Sequence, residues 1–370
     1  MGWPLKILFC LSGMGAGGAE RQASLICNHW ARTGHEVILV NQFDLPSHYD
    51  LERNISRRAL RASTRRSQTA ALNDIRMMRR LVRAERPHVV IAFIDIMNIK
   101  TLLATLGVGV PVVISERVNP TSLAETYPSL LATAVAIARR ITYPFSTALV
   151  VQTEAAARWG RAGRFSSRVE IIPNVVLSPD ETERGQLPAS DRTVLSVGRL
   201  CHQKGHDILI RAFASLAARF PGWRLKIVGE GDLREELSRL VGSLGMTDRI
   251  ELAPVQKSLA HDYRAAGVFV LASRFEGFPN TLLEAMQMGC AVLAADCPTG
   301  PREVITDGSD GLLFRNGDAP DLASKLATLM NNGELRRSLG NRARSAVEKY
   351  RPEVVLPLWD RLLQNLPATR

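Results

Sequence analysis

Long apolar runs are absent from this chain. The longest apolar region, residues 89–114, is interrupted by Asp95, Asn98, Lys100 and Pro111, so it reads as strand, helix and strand rather than a membrane span. The run at the start, Ile7 to Leu11, is too short for a signal-peptide core and runs into glycines, so it reads as a first β-strand. Cysteine is scarce. The five cysteines (Cys10, Cys27, Cys201, Cys290, Cys297) contain no Cys-x-x-Cys and leave one unpaired, which argues against a disulfide framework or a thiolate zinc site and fits a reducing cytosol. The most basic stretch, residues 53–86, has eleven arginines (53, 57, 58, 61, 65, 66, 76, 79, 80, 83, 86) against Asp74 and Glu85, and no aromatic residue at all. Single-stranded nucleic acid is gripped by interleaved aromatics, so that class is disfavoured despite the charge.

What is present is charge and α/β alternation. The formal net charge of +11 calls for an anionic partner: nucleic acid, anionic lipid or a phosphorylated substrate. Ile75, Met77, Met78, Leu81 and Val82 interleave with the arginines of residues 53–86 and give part of that stretch an amphipathic pattern. A solvated helix face, an anionic membrane surface and a pyrophosphate-linked lipid all remain open as its role. At 370 residues the chain exceeds what one core supports, which predicts two domains. Strand-like and helix-like runs alternate from end to end, the pattern of doubly wound parallel sheets. Strands are expected at residues 6–10, 36–40, 89–93, 112–115, 148–152 and 169–172 in the first half. In the second half they are expected at 194–197, 225–228, 250–252, 268–271, 291–295 and 311–314. Residues 177–192 are polar and broken by Pro179, Gly185 and Pro188, the composition of a linker. The expected division is therefore 1–176, 177–350 and a closing helical segment 351–370, two Rossmann-like domains with a ligand cleft at the strand C-terminal ends.

Three stretches carry chemistry. In the first, strand Val268–Leu271 leads into the turn Glu276-Gly277-Phe278-Pro279 and a helix with Asn280 as expected N-cap, followed by Thr281, Leu282 and Leu283. The amides from Gly277 to Thr281 and the carboxylates of Glu276 and Glu284 would meet one crevice, a combination suited to a neutral polyhydroxyl ligand. In the second, Ser196-Val197-Gly198-Arg199 ends a strand and Gln203-Lys204-Gly205-His206 follows; Arg199 and Lys204 suit a phosphate. In the third, Ser12 to Glu20 forms a glycine-rich turn opening a helix, with Gly17 and Gly18 at its mouth. A dinucleotide site is the rival reading of that turn, but such a site wants an acid at the end of the second strand, and Val40 is followed by Asn41-Gln42-Phe43.

The spacing Glu276, seven residues, Glu284, with Gly-Phe-Pro-Asn after the first acid and Ala-Met after the second, resembles the signature of the family 4 retaining glycosyltransferases of the GT-B fold. The resemblance spans nearly the whole chain and is most specific from Val194 to Phe314. Ser115-Glu116-Arg117 stands where many relatives carry a catalytically important histidine; it resembles a subgroup of exopolysaccharide and lipid-linked oligosaccharide synthesis, the amylovoran-type enzymes. The resemblance implies a second domain that binds a nucleotide-diphosphate sugar, with UDP the commonest nucleotide, and a first domain that presents a glycan or polyprenyl-linked acceptor. It implies that Arg199 and Lys204 hold the diphosphate and that Gly17 and Gly18 lie close to the donor's phosphate and sugar. Glu276, Gly277, Phe278, Pro279, Asn280 and Thr281 would hold the transferred sugar and Glu284 the ribose, while Glu116 takes a catalytic polar role or, alternatively, caps the next segment as an ion pair. The closing helix would return to the first domain. No cofactor or metal is expected: His202 and His206 have no third ligand nearby, and no Asp-x-Asp, the metal clamp of the other main glycosyltransferase fold, occurs. Arg199 and Lys204 would take over the metal's electrostatic role. The expected location is the cytoplasm, including the inner face of its membrane. Two alternatives stay open: another GT-B enzyme such as a nucleotide-sugar 2-epimerase, and a non-enzymatic nucleic-acid-binding protein.

Overall fold

A computed structural model describes residues 4–15, 17–61, 70–177, 192–256 and 258–367. The chain divides into two compact units, Met1–Val175 with Pro352–Arg370, and Val176–Arg351. The linker expected at 177–192 falls almost wholly outside the described residues.

The first unit is a seven-stranded parallel sheet. Its strands are β1 (Lys6–Leu11), β2 (Glu36–Phe43), β3 (Ser56–Arg61), β4 (Val89–Phe93), β5 (Val112–Ser115), β6 (Ala148–Val151) and β7 (Val169–Ile171), in the order β3-β2-β1-β4-β5-β6-β7. The helices between them are α1 (Gly18–Arg32), α2 (Ala70–Glu85), α3 (Asp95–Thr105), α4 (Leu123–Thr126), α5 (Ser129–Thr142) and α6 (Glu154–Ala162). Along β1, Ile7, Phe9 and Leu11 face one core with α1, and Leu8 and Cys10 face a second core with α2, α3 and α6. Strands buried on both faces in this way read as unbroken apolar runs, which is why they are visible in the sequence. The region 89–114 is strand, helix and strand, as its interruptions predict.

One strand departs from expectation. β3, Ser-Arg-Arg-Ala-Leu-Arg, lies inside the basic stretch and was not anticipated as a strand. It is an edge strand, and only Leu60 is buried along it, so no apolar run announces it. Charged edge strands also resist pairing with other chains.

The second unit is a six-stranded parallel sheet, ordered β10-β9-β8-β11-β12-β13. Its strands are β8 (Thr193–Val197), β9 (Arg224–Val228), β10 (Ile250–Ala253), β11 (Ala266–Leu271), β12 (Val292–Asp296) and β13 (Leu312–Arg315). Its helices are α7 (His206–Leu216), α8 (Arg234–Ser243), α9 (Ala260–Ala265), α10 (Asn280–Gln287), α11 (Pro301–Val304), α12 (Ala319–Asn331) and α13 (Gly333–Ala346). The core of α7, α8 and α12 covers one face of the sheet, and that of α9, α10 and α13 covers the other.

The last helix, α14 (Pro352–Gln364), belongs to the first unit. Trp359 is fully buried edge-on to Trp30, with ring centroids 6.1 Å apart, and lies 5.9 Å from Phe93. Asp360 accepts hydrogen bonds from Trp30 Nε1 at 3.0 Å and His29 Nε2 at 2.9 Å. The five cysteines are unpaired, and among the described residues no helix is long and apolar enough to cross a membrane.

Candidate active site

In a doubly wound sheet the loops after two neighbouring strands part where the strand order reverses, and a ligand fits that opening. In the second unit the reversal lies between β8 and β11. The loop after β8 carries Arg199 and Lys204, and the loop after β11 carries Glu276 and leads into α10. The topology thus brings two sequence motifs more than seventy residues apart to one edge.

The two loops are locked together by hydrogen bonds. Lys204 Nζ lies 2.6 Å from Glu276 Oε1, and Ser273 Oγ donates to the same oxygen at 2.6 Å. Glu276 is 4% exposed. Gln203 Nε2 donates to the Phe275 carbonyl at 3.1 Å, and its Oε1 accepts from Arg199 Nη2 at 3.4 Å. Arg274 forms a two-pronged pair with Asp207 at 2.9 and 2.7 Å, and its amide donates to the Gln203 carbonyl at 2.8 Å. Thr299, from the loop after β12, donates its hydroxyl to the Glu276 carbonyl. Gly205 makes this closure sterically feasible: its φ is +63°, and a Cβ there would run into the Ala272 carbonyl. Lys204 has three donor directions and Glu276 takes one, so two remain for other acceptors. Arg199 is exposed at the same edge.

His206 opens α7 beside this pair and is 2% exposed. Burial, then the neighbouring Lys204 charge, lowers its pKa from 6.5 to about 4, so the ring is neutral across the physiological range. Among the described residues no group of three or more His, Cys, Asp or Glu side chains is gathered as metal ligands would be.

The α10 turn differs in detail from expectation. Asn280 is the first helical residue rather than the N-cap, which is Pro279, and no side chain caps the helix. The Asn280 amide already donates to the Phe278 carbonyl at 3.0 Å, and Pro279 has no N–H to offer. Phe278 is buried with its ring edge-on to Tyr350 at 5.6 Å, so it anchors the turn from below. The remaining amides of this turn are those of Gly277, Phe278 and Thr281. Glu284 is half-buried and accepts from the Tyr263 hydroxyl at 3.0 Å, on a separate support from Glu276. The side-chain roles of Tyr263, Ser273, Gln203 and Thr299 are not evident in the sequence. Their hydroxyls and amides act through tertiary contacts that no local spacing encodes.

In the first unit the strand order reverses between β1 and β4. The glycine turn follows β1, with Gly17 at the N-cap of α1 and Gly18 as its first residue. The space a Cβ on Gly17 would take is filled by the Glu20 carboxylate.

Glu116 follows β5 in this unit. It is 2% exposed and bound on both oxygens, to Arg139 Nη2 at 3.0 Å and to the Tyr143 hydroxyl. Arg139 also meets Asp95 at 3.2 Å, and Tyr127 donates to Asp95 at 2.9 Å. Burial pushes the Glu116 carboxyl above its ordinary value, against the pull of Arg139. A carboxylate enclosed and engaged in this way braces α5 and α3 against β5, which is the ion-pair alternative for this residue. The arginines of 53–86 are also partly engaged. Arg61 pairs with buried Asp74 at 2.5 Å, and Arg79 donates to the Ala104 and Leu106 carbonyls. Arg65 and Arg66 lie outside the described residues.

Comparison with known proteins agrees with this geometry. Residues 16–176 match the family description Glycosyltransferase Family 4, and residues 179–346 match Glycosyl transferases group 1. Over 98% of its length the chain is 28% identical to the GalNAc-alpha-(1->4)-GalNAc-alpha-(1->3)-diNAcBac-PP-undecaprenol alpha-1,4-N-acetyl-D-galactosaminyltransferase of Campylobacter jejuni, covering 99% of it. Over 61% of its length it is 34% identical to an exopolysaccharide phosphotransferase of Streptomyces coelicolor, of which it spans only 24%. Its fold superposes on the Anabaena protein HepE in complex with UDP and glucose with a TM-score of 0.79 at 18% identity, covering 98% of this chain and 100% of that one. Two Rossmann-like parallel-sheet units, a helix returned to the first, and family matches laid end to end along nearly the whole chain identify it as a glycosyltransferase of family 4 with the GT-B fold.

Proposed function

We propose that this enzyme transfers a hexose or N-acetylhexosamine, with retention at the anomeric carbon, from a UDP-sugar to a polyprenyl-linked glycan in bacterial surface polysaccharide synthesis. The observation that carries the reading is the Lys204–Glu276 pair joining the loops after β8 and β11. Glycosyl transfer expels a nucleoside diphosphate, so negative charge grows on the leaving oxygen. Lys204, oriented by Glu276, and Arg199 neutralise that charge where it develops, which lowers the barrier more than it tightens ground-state binding. Two fixed cations serve where other folds use a divalent ion, and the reaction proceeds without a metal. Glu284, steadied by Tyr263, accepts from the ribose hydroxyls. Glu276 and the Gly277, Phe278 and Thr281 amides hold the transferred sugar, and the first unit presents the acceptor. The donor assignment draws on the UDP bound by HepE, and the acceptor assignment on the undecaprenol-linked glycan named for the Campylobacter relative. An acceptor of that kind puts the enzyme at the inner face of the cytoplasmic membrane.

A panel of nucleotide sugars, scored by nucleoside-diphosphate release with and without polyprenyl-linked glycan, tests the reading. Acceptor-dependent UDP release that survives a chelator, with the product anomer matching the donor, is the expected result. Epimer formation without acceptor, or no release from any sugar nucleotide, overturns it.

A further inference from the structure

Helix α5 is apolar on two opposite faces and buried on one. Ala132, Val135, Arg139 and Thr142 face inward, and the helix packs against α3. Leu130, Ala134, Ile137 and Ile141 recur at steps of four, three and four residues, which gathers them into one stripe on the opposite side. That stripe is open: Leu130 is 87% exposed, Ile137 56% and Ile141 61%. The 3-10 turn Tyr143–Phe145 prolongs it, because Tyr143 is buried while Phe145 is 61% exposed. A helix apolar all round is ordinarily enclosed, and a contiguous exposed apolar patch marks a surface that meets another body.

The border of the stripe says which body. Arg140 lies beside it and donates to the Gly163 carbonyl at 2.8 Å, tying α5 to the turn after α6. Pro144, next to Phe145, lines a pocket with Arg161, Arg164, Ser167 and Arg168. Arg161 pairs with Glu154 and Arg168 with Glu170. Among the described residues no carboxylate lies within ion-pair reach of Arg140 or Arg164. Residues 128–170 hold six arginines against two glutamates. Leucine, isoleucine and phenylalanine flanked by unpaired arginines match the headgroup boundary of an anionic bilayer, where the acyl region takes the apolar side chains and lipid phosphates take the guanidiniums.

We propose that α5 and the turn Tyr143–Phe145 form the surface by which the protein docks on an anionic membrane. Ile137, Ile141 and Phe145 enter the acyl boundary, and Arg140 and Arg164 meet lipid phosphates. This shifts the main contact away from the basic stretch 53–86, part of whose charge is already engaged within the protein. The inference builds on the polyprenyl-linked acceptor proposed above, since an enzyme on the bilayer surface meets a lipid-anchored acceptor, but docking and transfer are measured apart.

The test is flotation of the full-length protein with phosphatidylcholine vesicles, with and without phosphatidylglycerol. The protein should float with the phosphatidylglycerol vesicles and be released by salt. Ile137→Ser with Phe145→Ser should lower the partition coefficient at least ~tenfold, and Arg140→Gln with Arg164→Gln by ~tenfold or more. All four sites are exposed, and Arg140 gives up one surface hydrogen bond, so thermal midpoints within a few degrees of wild type and unchanged turnover on detergent-dispersed acceptor are expected. Failure of the wild type to float, or flotation of the apolar double variant like wild type, overturns the proposal. So does a change of oligomeric state in that variant, by light scattering, with flotation intact, which would mark the stripe as a self-association surface. Normal flotation with no affinity for any sugar nucleotide would instead sink the transfer reading and leave docking standing.

Discussion

Lys204 Nζ and Glu276 Oε1 lie 2.6 Å apart, so the cation and the acid that the sequence sets more than seventy residues apart act as one unit. Neither is independent of the other. Glu276 is almost wholly enclosed, and removing Lys204 leaves a buried carboxylate with only Ser273 to answer it.

Lys204→Ala should therefore lower both turnover and stability. Turnover at saturating donor should fall ~10²–10³-fold, the loss typical of removing one preorganised donor to a developing charge. The unpaired carboxylate should cost about 2–3 kcal/mol of stability, less than a fully buried pair because Lys204 is partly exposed. Adding Glu276→Gln should recover part of the stability and none of the turnover. Denaturant titration of the two single variants and the double gives the coupling energy, and strict additivity would show that the pair does not act together.

Tyr263→Phe should raise the donor KM up to about tenfold and leave kcat unchanged, because it frees Glu284 without touching the diphosphate end. Glu284→Ala should act in the same direction and more strongly. A fall in kcat with unchanged KM in either variant would place Glu284 at the reacting bond instead.

Gly205→Ala should destabilise the second unit by ~2 kcal/mol or more, since it meets both a left-handed backbone and the Ala272 carbonyl. The same displacement moves Lys204, the preceding residue, so turnover should fall with it. Thermal denaturation and donor turnover measured on one preparation check both effects together.

Glu116→Gln should lower the thermal midpoint while leaving turnover per folded molecule within about twofold. Arg139 keeps Asp95 but loses half of its charge partnership in a buried site. A loss of turnover without a loss of stability would restore the catalytic role that the sequence suggested.

His206 makes stability depend on pH. Its folded pKa of about 4 lies below the ordinary 6.5, so the unfolded chain takes up a proton between those values while the folded protein does not. Stability is fully present above about pH 6.5 and falls as pH drops toward 4, by about 3 kcal/mol for this group alone. His206→Leu should flatten that part of the profile in a pH series of denaturant unfolding. An unchanged slope would mean that the ring titrates normally.

The parallel sheets are legible in the sequence because their strands are buried on both faces and read as apolar runs. β3 is illegible for the converse reason: an edge strand buries little, and its arginines dominate the local pattern. The two loops that lock together are legible where they leave the strands, at the stretches bearing Arg199 and Glu276, whereas the left-handed turn at Gly205 is not. The site fades where long-range packing decides. Nothing near Tyr263 announces its bond to Glu284, and Glu116 looks reactive in a list of strand-end residues until Arg139 and Tyr143 close over it. Asn280 has the chemistry of a cap, yet the proline before it already holds that position.

The return of α14 to the first unit has a consequence for biosynthesis. Trp359 fills a hollow between Trp30 and Phe93, but it leaves the ribosome only after the entire second unit has been made. The nascent amino-terminal half must wait with an open greasy socket while its neighbour matures, so a messenger that stops before Trp359 would yield a chain whose later half is sound and whose earlier half invites chaperones and proteases.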